Sequence, residues 1–257
     1  MGTIVPSALR REEISLCRMT RRAFSLTLAG AATAAAAPSF DQRKGRLLYE
    51  TTMATRADMV GWKLEGPGTT AHHGGWMEMW SPGEQMHHVY WCPEAFPASF
   101  AAEWEMQNLH PQAGLCIVFF AATGLDGQDV HDPALPARDG TFSQYNKGEL
   151  KNYHISYYAN TPNLPARPVA RLRKNPGAVI VHEGPPGIVA DSTEIHRVRL
   201  MKDRAQIALW VDDRLIIDWT DNGEKLGGAY GGGKIALRQM RWTQFRYRNF
   251  RVWGLKG

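Results

Sequence analysis

From Gly45 onward, apolar and aromatic residues occur in short runs that Gly, Pro, Asn and Asp separate. Typical runs are "GWMEMW", "GLCIVFFAA", "NYHISYY" and "QIALWV", and no amphipathic helical pattern extends beyond about ten residues. The stretch "ALWVDDRLIIDWTD" indicates a hairpin that turns at Asp212 and Asp213. Strand-like runs at this spacing are typical of antiparallel sandwiches and barrels. The pattern therefore predicts an all-β, antiparallel two-sheet β-sandwich.

The N-terminal segment has a different pattern. Two arginines, Arg21 and Arg22, precede an alanine-rich apolar run from Leu26 to Ala37. This order of charged, apolar and small residues is typical of a twin-arginine export signal. The apolar run is shorter than the roughly 20 residues that span a bilayer. We therefore predict an export signal at residues 1–37, one domain at residues 38–257, no membrane span, and a periplasmic or secreted location.

The charge of the chain depends on this segment. Met19 directly precedes the signal pattern, which makes it a candidate for the true start of the protein. The whole chain has a formal net charge of +5, and residues 1–37 supply +3 of it through five arginines and two glutamates. About +2 remains, which argues against nucleic acid as a partner.

The cysteines and the loop acids bear on disulfides and metals. Cys92 and Cys116 lie in apolar runs, and in an oxidising compartment they could form a disulfide or remain buried thiols. There is no CxxC motif or zinc-like Cys/His spacing.

No cofactor is expected except a structural calcium ion, which three acidic residues of one long loop could hold: Asp126, Asp129 and Asp132.

Several stretches resemble known proteins. The C-terminal runs "LWVDDRLIIDWTD", "GGGKIALRQM" and "FRYRNFRVWGL" resemble the closing strands of concanavalin-like jelly rolls. The stretches "WCPEAFPASFAAEWEMQ", "GLCIVFFAATGLDGQDVHDP", "YNKGELKNYHISYY" and "NLPARPVARLRKNPG" are similar to the YesU-like family. That family is a domain of unknown function associated with degradation of rhamnogalacturonan and related plant polysaccharides. The resemblance covers roughly residues 45–255 and implies a concanavalin-like jelly roll and sugar chemistry, without residue roles.

The stretch "KNYHISYY" is the first candidate for a functional strand. Side chains alternate between the two faces of a strand, so the odd-numbered residues Tyr153 to Tyr157 are predicted to face the core. The even-numbered residues His154, Ser156 and Tyr158 would then share the concave face, where sugars bind in this architecture. His154 could serve as a base and Tyr158 as an acid. A polar sheet face without chemistry is equally compatible with the pattern.

Arginines supply the second set of candidates. In "RLRK", Arg171 and Arg173 would share one face of a strand, with Lys174 on the opposite face. Guanidinium groups bind carboxylates in bidentate fashion, which suits a uronic acid. Arg238, in "KIALRQM", is a further candidate for substrate binding, together with Arg171 and Lys174. The alternative for each of these residues is solvated surface charge.

The stretch "EWEMQN" is the third candidate, because some concanavalin-like glycosidases carry three acids on one strand. Glu103 and Glu105 would lie on one face, but the third position is Gln107, which cannot transfer a catalytic proton. A retaining mechanism requires two carboxyl groups about 5–5.5 Å apart. We therefore predict substrate binding for these three residues and no glycosidase dyad.

Three functions remain open. A polysaccharide lyase, which acts by β-elimination, requires a base, an acid and a cation, and His154, Tyr158 and Arg173 would supply them. A glycoside hydrolase would need the carboxyl pair that Gln107 interrupts. A non-catalytic carbohydrate-binding protein needs only aromatic and hydrogen-bonding groups. We favour the lyase, with an acidic polysaccharide or oligosaccharide as substrate, and expect a monomer or a simple homo-oligomer.

Overall fold

The computed structural model describes residues 39–81, 87–110, 114–160, 169–189, 191–240 and 243–256, with the backbone alone at residues 159 and 160. The predicted export signal and the candidate start at Met19 lie outside the described residues. Within the described ranges, no helix is long and apolar enough to cross a membrane.

Strands make up most of the described chain, and the helices are single turns. In chain order the elements are α1 (Phe40–Arg43), β1 (Lys44–Thr51), a 3₁₀ turn (Arg56–Met59), β2 (Lys63–Glu65), β3 (Thr69–His73), β4 (Trp76–Trp80), β5 (His88–Phe96), β6 (Ser99–Asn108), β7 (Gly114–Gly124), α2 (Ser143–Asn146), β8 (Leu150–Asn160), β9 (Ala170–Asn175), β10 (Val179–Gly184), β11 (Ile195–Asp203), β12 (Gln206–Val211), β13 (Arg214–Thr220), β14 (Gly233–Gln239) and β15 (Gln244–Leu255).

These strands form two antiparallel sheets. Sheet 1 has the order β13–β12–β11–β6–β15–β4–β3, with β1 also paired to β15, and sheet 2 has the order β10–β9–β8–β7–β14–β5–β2. The predicted two-sheet β-sandwich is therefore confirmed. The predicted hairpin joins β12 to β13, and both Asp212 and Asp213 have positive φ angles, of 50° and 66°. A two-residue type I′ turn requires this left-handed conformation at both positions.

The core lies between the sheets and is formed by their inward faces. Trp104 of sheet 1 and Phe120 and Tyr153 of sheet 2 are fully buried in it. Cys92 and Cys116 are also buried there as free thiols, which settles the disulfide alternative in favour of thiols. Burial raises the pKa of the Cys92 thiol to about 12, so this group stays protonated at neutral pH.

A β-bulge in β8 changes the predicted direction of Tyr158. Cys116 pairs with Tyr158 and the adjacent Ile117 pairs with Ser156, so Tyr157 is an extra residue on the β8 side. The bulge shifts the alternation by one residue, and Tyr157 and Tyr158 both lie in the core. The prediction that Tyr158 lies on the opposite face with His154 is therefore wrong.

Candidate functional site

The outer face of sheet 2, which points away from sheet 1, is organised in two rows of side chains that cross the strands. Register aligns the first row from β2 to β10 as Glu65, Val89, Arg238, Ile117, Ser156, Arg171 and Glu183. It aligns the second row as Lys63, Trp91, Ala236, Phe119, His154, Arg173 and Ile180. The predicted candidates at 154, 156, 171, 173 and 238 therefore share this face.

Part of the outer face is covered by the segment of residues 125–149, which we call the strap. Its buried side chains, Val130 and Tyr145, and its partly buried ones, Leu135 and Phe142, pack against sheet residues from β5, β7, β8 and β14. Those sheet residues are Val89, Trp91, Phe119, Ala122, Leu150 and Ala236. This apolar contact fixes the strap on one side of the face.

The strap is anchored at Glu65, a buried carboxylate on β2. Arg138 of the strap donates to both Glu65 oxygens, from Nε at 3.0 Å and from Nη2 at 2.6 Å. Trp91 Nε1 and the Tyr145 hydroxyl donate to the same carboxylate at 3.0 and 2.9 Å. Burial alone would raise the pKa of Glu65, but the bonds from His131, Arg138 and Trp91 outweigh it and lower the pKa to about 2.

His154 lies on the face that the alternation predicts, and it is fully buried there. Its ring packs edge-on against Phe119 and against Phe142 of the strap, with centroids 5.3 and 5.8 Å apart. The Asn175 side-chain nitrogen lies 2.8 Å from Nδ1 of His154 and 2.7 Å from the side-chain oxygen of Asn152. Because His154 is on this face and Tyr158 is in the core, the structure does not bring the predicted acid–base pair together.

Arg171 and Arg173 share the outer face, as their spacing predicts, but differ in their partners. Arg171 donates from Nε to the Glu183 carboxylate at 2.5 Å. Arg173 is partly buried and forms no hydrogen bond or ion pair with any residue that the structure describes. Burial and the neighbouring Arg171 both lower the pKa of its guanidinium.

Arg238 is the most unusual side chain of the face. It is 1% exposed, and among the described residues its Nε and Nη2 atoms have no hydrogen-bond partner. Its guanidinium carbon lies 4.0 Å from the centroid of the Phe142 ring. Burial lowers the pKa of Arg238 to about 9, which leaves the side chain cationic at neutral pH. The face thus holds a buried cation without a described counter-ion.

Lys174 lies on the opposite face of β9 and is fully buried in the interior. Its ammonium nitrogen forms an ion pair with Asp221 at 2.7 Å and donates to the carbonyl oxygens of Gly227 and Gly228 at 2.5 and 3.0 Å. It also lies 4.7 Å from the centre of the Tyr230 ring. The predicted substrate contact is incompatible with this position, because Lys174 is enclosed by the glycine-rich loop after β13.

The three candidates of "EWEMQN" lie on the outer face of sheet 1 and so are separated from the other candidates by both sheets. Glu103 bonds Arg199 at 3.2 Å and Lys44 at 3.3 Å. Glu105 is paired with Arg248, and the Gln107 oxygen accepts a hydrogen bond from Arg246 at 2.7 Å. Each of these side chains is thus engaged within its own sheet, and substrate binding by these three residues stays a prediction.

The loop acids offered for calcium make local contacts. Asp129 and Asp132 accept backbone N–H bonds from His131 and Ala134, each at 2.8 Å. In the described part of the chain, no three His, Cys, Asp or Glu side chains cluster in a way that could hold a metal ion. The calcium ion stays a prediction.

Sequence reasoning missed Glu65, Arg138 and Asn175, although these residues organise the face. Glu65 and Arg138 are 73 positions apart and belong to no recognisable motif. The available signal was weak: an acid at the end of the strand-like run "GWKLEG" has to be paired if it is buried.

Comparisons with known proteins agree with the fold. A family model described as a domain of unknown function (DUF1961) matches residues 46–252. The protein YesU of Bacillus subtilis (strain 168) is 30% identical over 213 residues, which are 82% of this chain and 96% of that protein. These two matches confirm the resemblance to the YesU-like family.

Two solved structures give the same architecture. A Bacillus subtilis protein of unknown function with a galectin-like fold has a TM-score of 0.79 and 30% identity, covering 83% of this chain and 98% of its own. The carbohydrate recognition domain of Emp47p has a TM-score of 0.54 and 15% identity, covering 81% and 97%. The second likeness concerns the fold alone.

Proposed function

The chain belongs to the DUF1961 family, and from the charge of the outer face of sheet 2 we propose that it binds an acidic saccharide there. The observation that carries this proposal is the buried guanidinium of Arg238, which has two nitrogen atoms without a described partner. A buried ion without a partner costs several kcal/mol. A uronate carboxylate would supply the bidentate acceptor that this guanidinium lacks.

The position of Arg238 also fits a sugar ligand. In the same row, Ile117 follows on β7, and Ser156 and Arg171 follow on β8 and β9. Arg173 lies beside Arg171 in the second row. Guanidinium donors of this kind match the carboxylate oxygens of a uronic acid. The Emp47p domain, which has this fold, is a carbohydrate recognition domain, and this supports a saccharide as the class of ligand.

A polysaccharide lyase is the second candidate, because unpaired arginines can also neutralise the carboxylate beside the proton that β-elimination removes. His154 is not the base of such a reaction. The Asn152 amide donates to the carbonyl oxygen of Tyr145, so its oxygen accepts from Asn175. The second amide hydrogen of Asn175 then points to Nδ1 of His154, which leaves the ring proton on Nε2. A lyase would therefore use a different base.

A glycoside hydrolase has less support. The two carboxylates of the first row, Glu65 and Glu183, lie six strand spacings apart, about 29 Å, whereas catalytic pairs are within about 10 Å. Glu65 is moreover ionised and saturated with donors.

The proposal is tested by calorimetric titration with an acidic oligosaccharide and with the same compound after its carboxyl groups are reduced to alcohols. We expect binding of the acidic form and at least tenfold weaker binding of the reduced form. Equal affinity for both, or none for any acidic saccharide, would overturn the proposal. Ultraviolet absorbance of an unsaturated uronate product, followed in the same samples, reports lyase activity.

We also propose that the protein acts in the periplasm or outside the cell.

A further inference from the structure

The strap limits how a saccharide chain can lie on the outer face of sheet 2. We infer that this protein binds the end of an acidic saccharide chain and not an internal stretch. This inference rests on the proposed function and adds the mode of recognition to it.

The strap is a fixed barrier. Near β2 it is held by the paired Glu65 and Arg138, whose side chains are 7% and 6% exposed. In the middle it is held by the apolar cluster that includes Trp91 and Tyr145. Lifting it would expose aromatic surface to water and separate a buried ion pair, and both changes are unfavourable. The part of the face over Trp91, Ala236 and Phe119 is therefore closed to a ligand.

The border of the strap lies beside Arg238. Phe142, near the end of the strap, lies against both the guanidinium of Arg238 and the ring of His154. A carboxylate bound to Arg238 would consequently sit at the edge of the strap. A saccharide chain could continue from there only across β7, β8 and β9, over Ile117 and Ser156 towards Arg171.

The row of side chains beyond the strap is short. Arg238 and Arg171 are three strand spacings apart, which is about 14 Å. The next residue of the row is Glu183, whose carboxylate would repel further uronate groups. A chain that ran along the strands instead would reach Arg171 and Arg173 but not Arg238. The row thus fits a short terminal segment, with the strap against its end.

The experiment measures stoichiometry by calorimetric titration. Galacturonate oligomers of increasing length, polygalacturonate, rhamnogalacturonan, alginate and hyaluronate serve as probes. We expect that one protein binds per chain whatever the chain length, and that affinity stops rising after the first few sugars. A number of bound proteins that grows in proportion to chain length would overturn this inference and leave the proposed function standing. Failure of every acidic probe to bind would overturn both.

A variant of the strap gives a second measurement. Phe142→Ala removes the ring that limits the ligand beside Arg238. The ratio of the affinity for long oligomers to the affinity for short oligomers should therefore rise by a few-fold or more. Leu135→Ala is the matched control, because this residue belongs to the same strap cluster but has no ring contact with Arg238. An unchanged ratio of long to short affinities in folded Phe142→Ala would contradict the inference. If that variant does not fold, the stoichiometry of the native protein decides.

Discussion

Asn175 donates its side-chain amide to Nδ1 of His154 across 2.8 Å, at a fully buried position of sheet 2. The orientation of this amide is set by a chain of bonds that begins at the backbone carbonyl of Tyr145, which can only accept. The tautomer of His154 is therefore determined by the backbone oxygen of Tyr145, which acts through the side chains of Asn152 and Asn175.

This relationship predicts the proton position of His154. Nitrogen-15 spectra of the neutral imidazole should show an unprotonated Nδ1 and a protonated Nε2. In Asn175→Asp the donor is replaced by an acceptor, and the proton should move to Nδ1. The control is Asn249→Asp on β15, which should leave the spectrum of His154 unchanged. A native ring protonated at Nδ1 would contradict the prediction.

Arg238→Met should weaken saccharide binding without lowering the stability of the fold. Removal of a buried, unpartnered charge in favour of an apolar side chain of similar length should leave the free energy of unfolding unchanged or raise it by about 1–4 kcal/mol. The affinity for acidic oligosaccharides should fall at least tenfold, because charge-assisted hydrogen bonds are worth roughly 1.5–3 kcal/mol. Urea unfolding and calorimetric titration measure the two effects.

The control for this variant is Arg246→Met on sheet 1. Arg246 lies over the Trp76 ring and donates to Gln107, far from the proposed site. Its replacement should not alter saccharide affinity. If Arg238→Met unfolds the protein while the remaining folded molecules bind normally, Arg238 is structural and the proposed site is wrong.

Arg138→Met should destabilise the protein through the buried Glu65 carboxylate. Loss of one partner of a buried pair leaves an uncompensated charge, which costs about 3–5 kcal/mol. The double variant Glu65→Gln, Arg138→Met should recover part of that loss, and a double-mutant cycle gives the coupling energy. Arg171→Met is the control, since its partner Glu183 is largely exposed and such pairs contribute about 1 kcal/mol or less. Similar losses for both arginines would contradict the anchoring role of Arg138.

The low pKa of Glu65 predicts a pH dependence of stability. Its pKa is about 2 in the folded protein and 4.5 in its ordinary state. The unfolded state therefore takes up the proton first as pH falls, so the stabilisation is complete above about 4.5 and is lost as pH falls through about 2. Glu65→Gln should flatten the decline between these values in acid unfolding curves. An equally steep decline in the variant would show that other carboxylates cause it.

Lys174→Met should affect the glycine-rich loop and not the ligand. The variant leaves Asp221 without its cation, so we expect a loss of about 3–5 kcal/mol and faster proteolysis within residues 221–233. Adding Asp221→Asn should reverse part of the loss. Saccharide affinity of the folded variant should not change, because Lys174 faces the interior. A selective fall in affinity would restore its predicted role in binding.

The export signal stays a prediction that cell fractionation can test. Replacing Arg21 and Arg22 together by lysine should retain the precursor in the cytoplasm, because the export pattern depends on the arginine pair. Replacing Arg10 and Arg11 by lysine is the matched control and should not alter export. Normal export of the Arg21, Arg22 variant would contradict the signal.

The fold could be predicted because it depends on local patterning. Short apolar runs with turn residues between them determine strands, and the Asp212–Asp213 pair determines a hairpin, without knowledge of distant residues. The alternation in β8 was correct as far as Tyr157. It failed at Tyr158 because a bulge depends on the register with β7, which the sequence of β8 does not contain.

The candidate site could be predicted only in part. Residue type was enough to single out Arg173 and Arg238 as carboxylate ligands. Whether an arginine is paired, as Arg171 is with Glu183, follows from cross-strand neighbours and could not be seen. The same holds for Glu105, whose partner Arg248 is 143 positions away. Pairing between strands, more than residue type, decides which charges remain available to a ligand.

The buried ammonium group of Lys174 has a consequence for the surroundings in which this protein can stay folded. A carboxylate and two carbonyl oxygens converge on it, and oxygen donors of this kind also bind free metal ions. Here the cation is covalently tethered, so dilution, chelators or competing salts cannot remove it. The glycine-rich loop therefore has its counter-ion within the chain and does not need a free cation at this position.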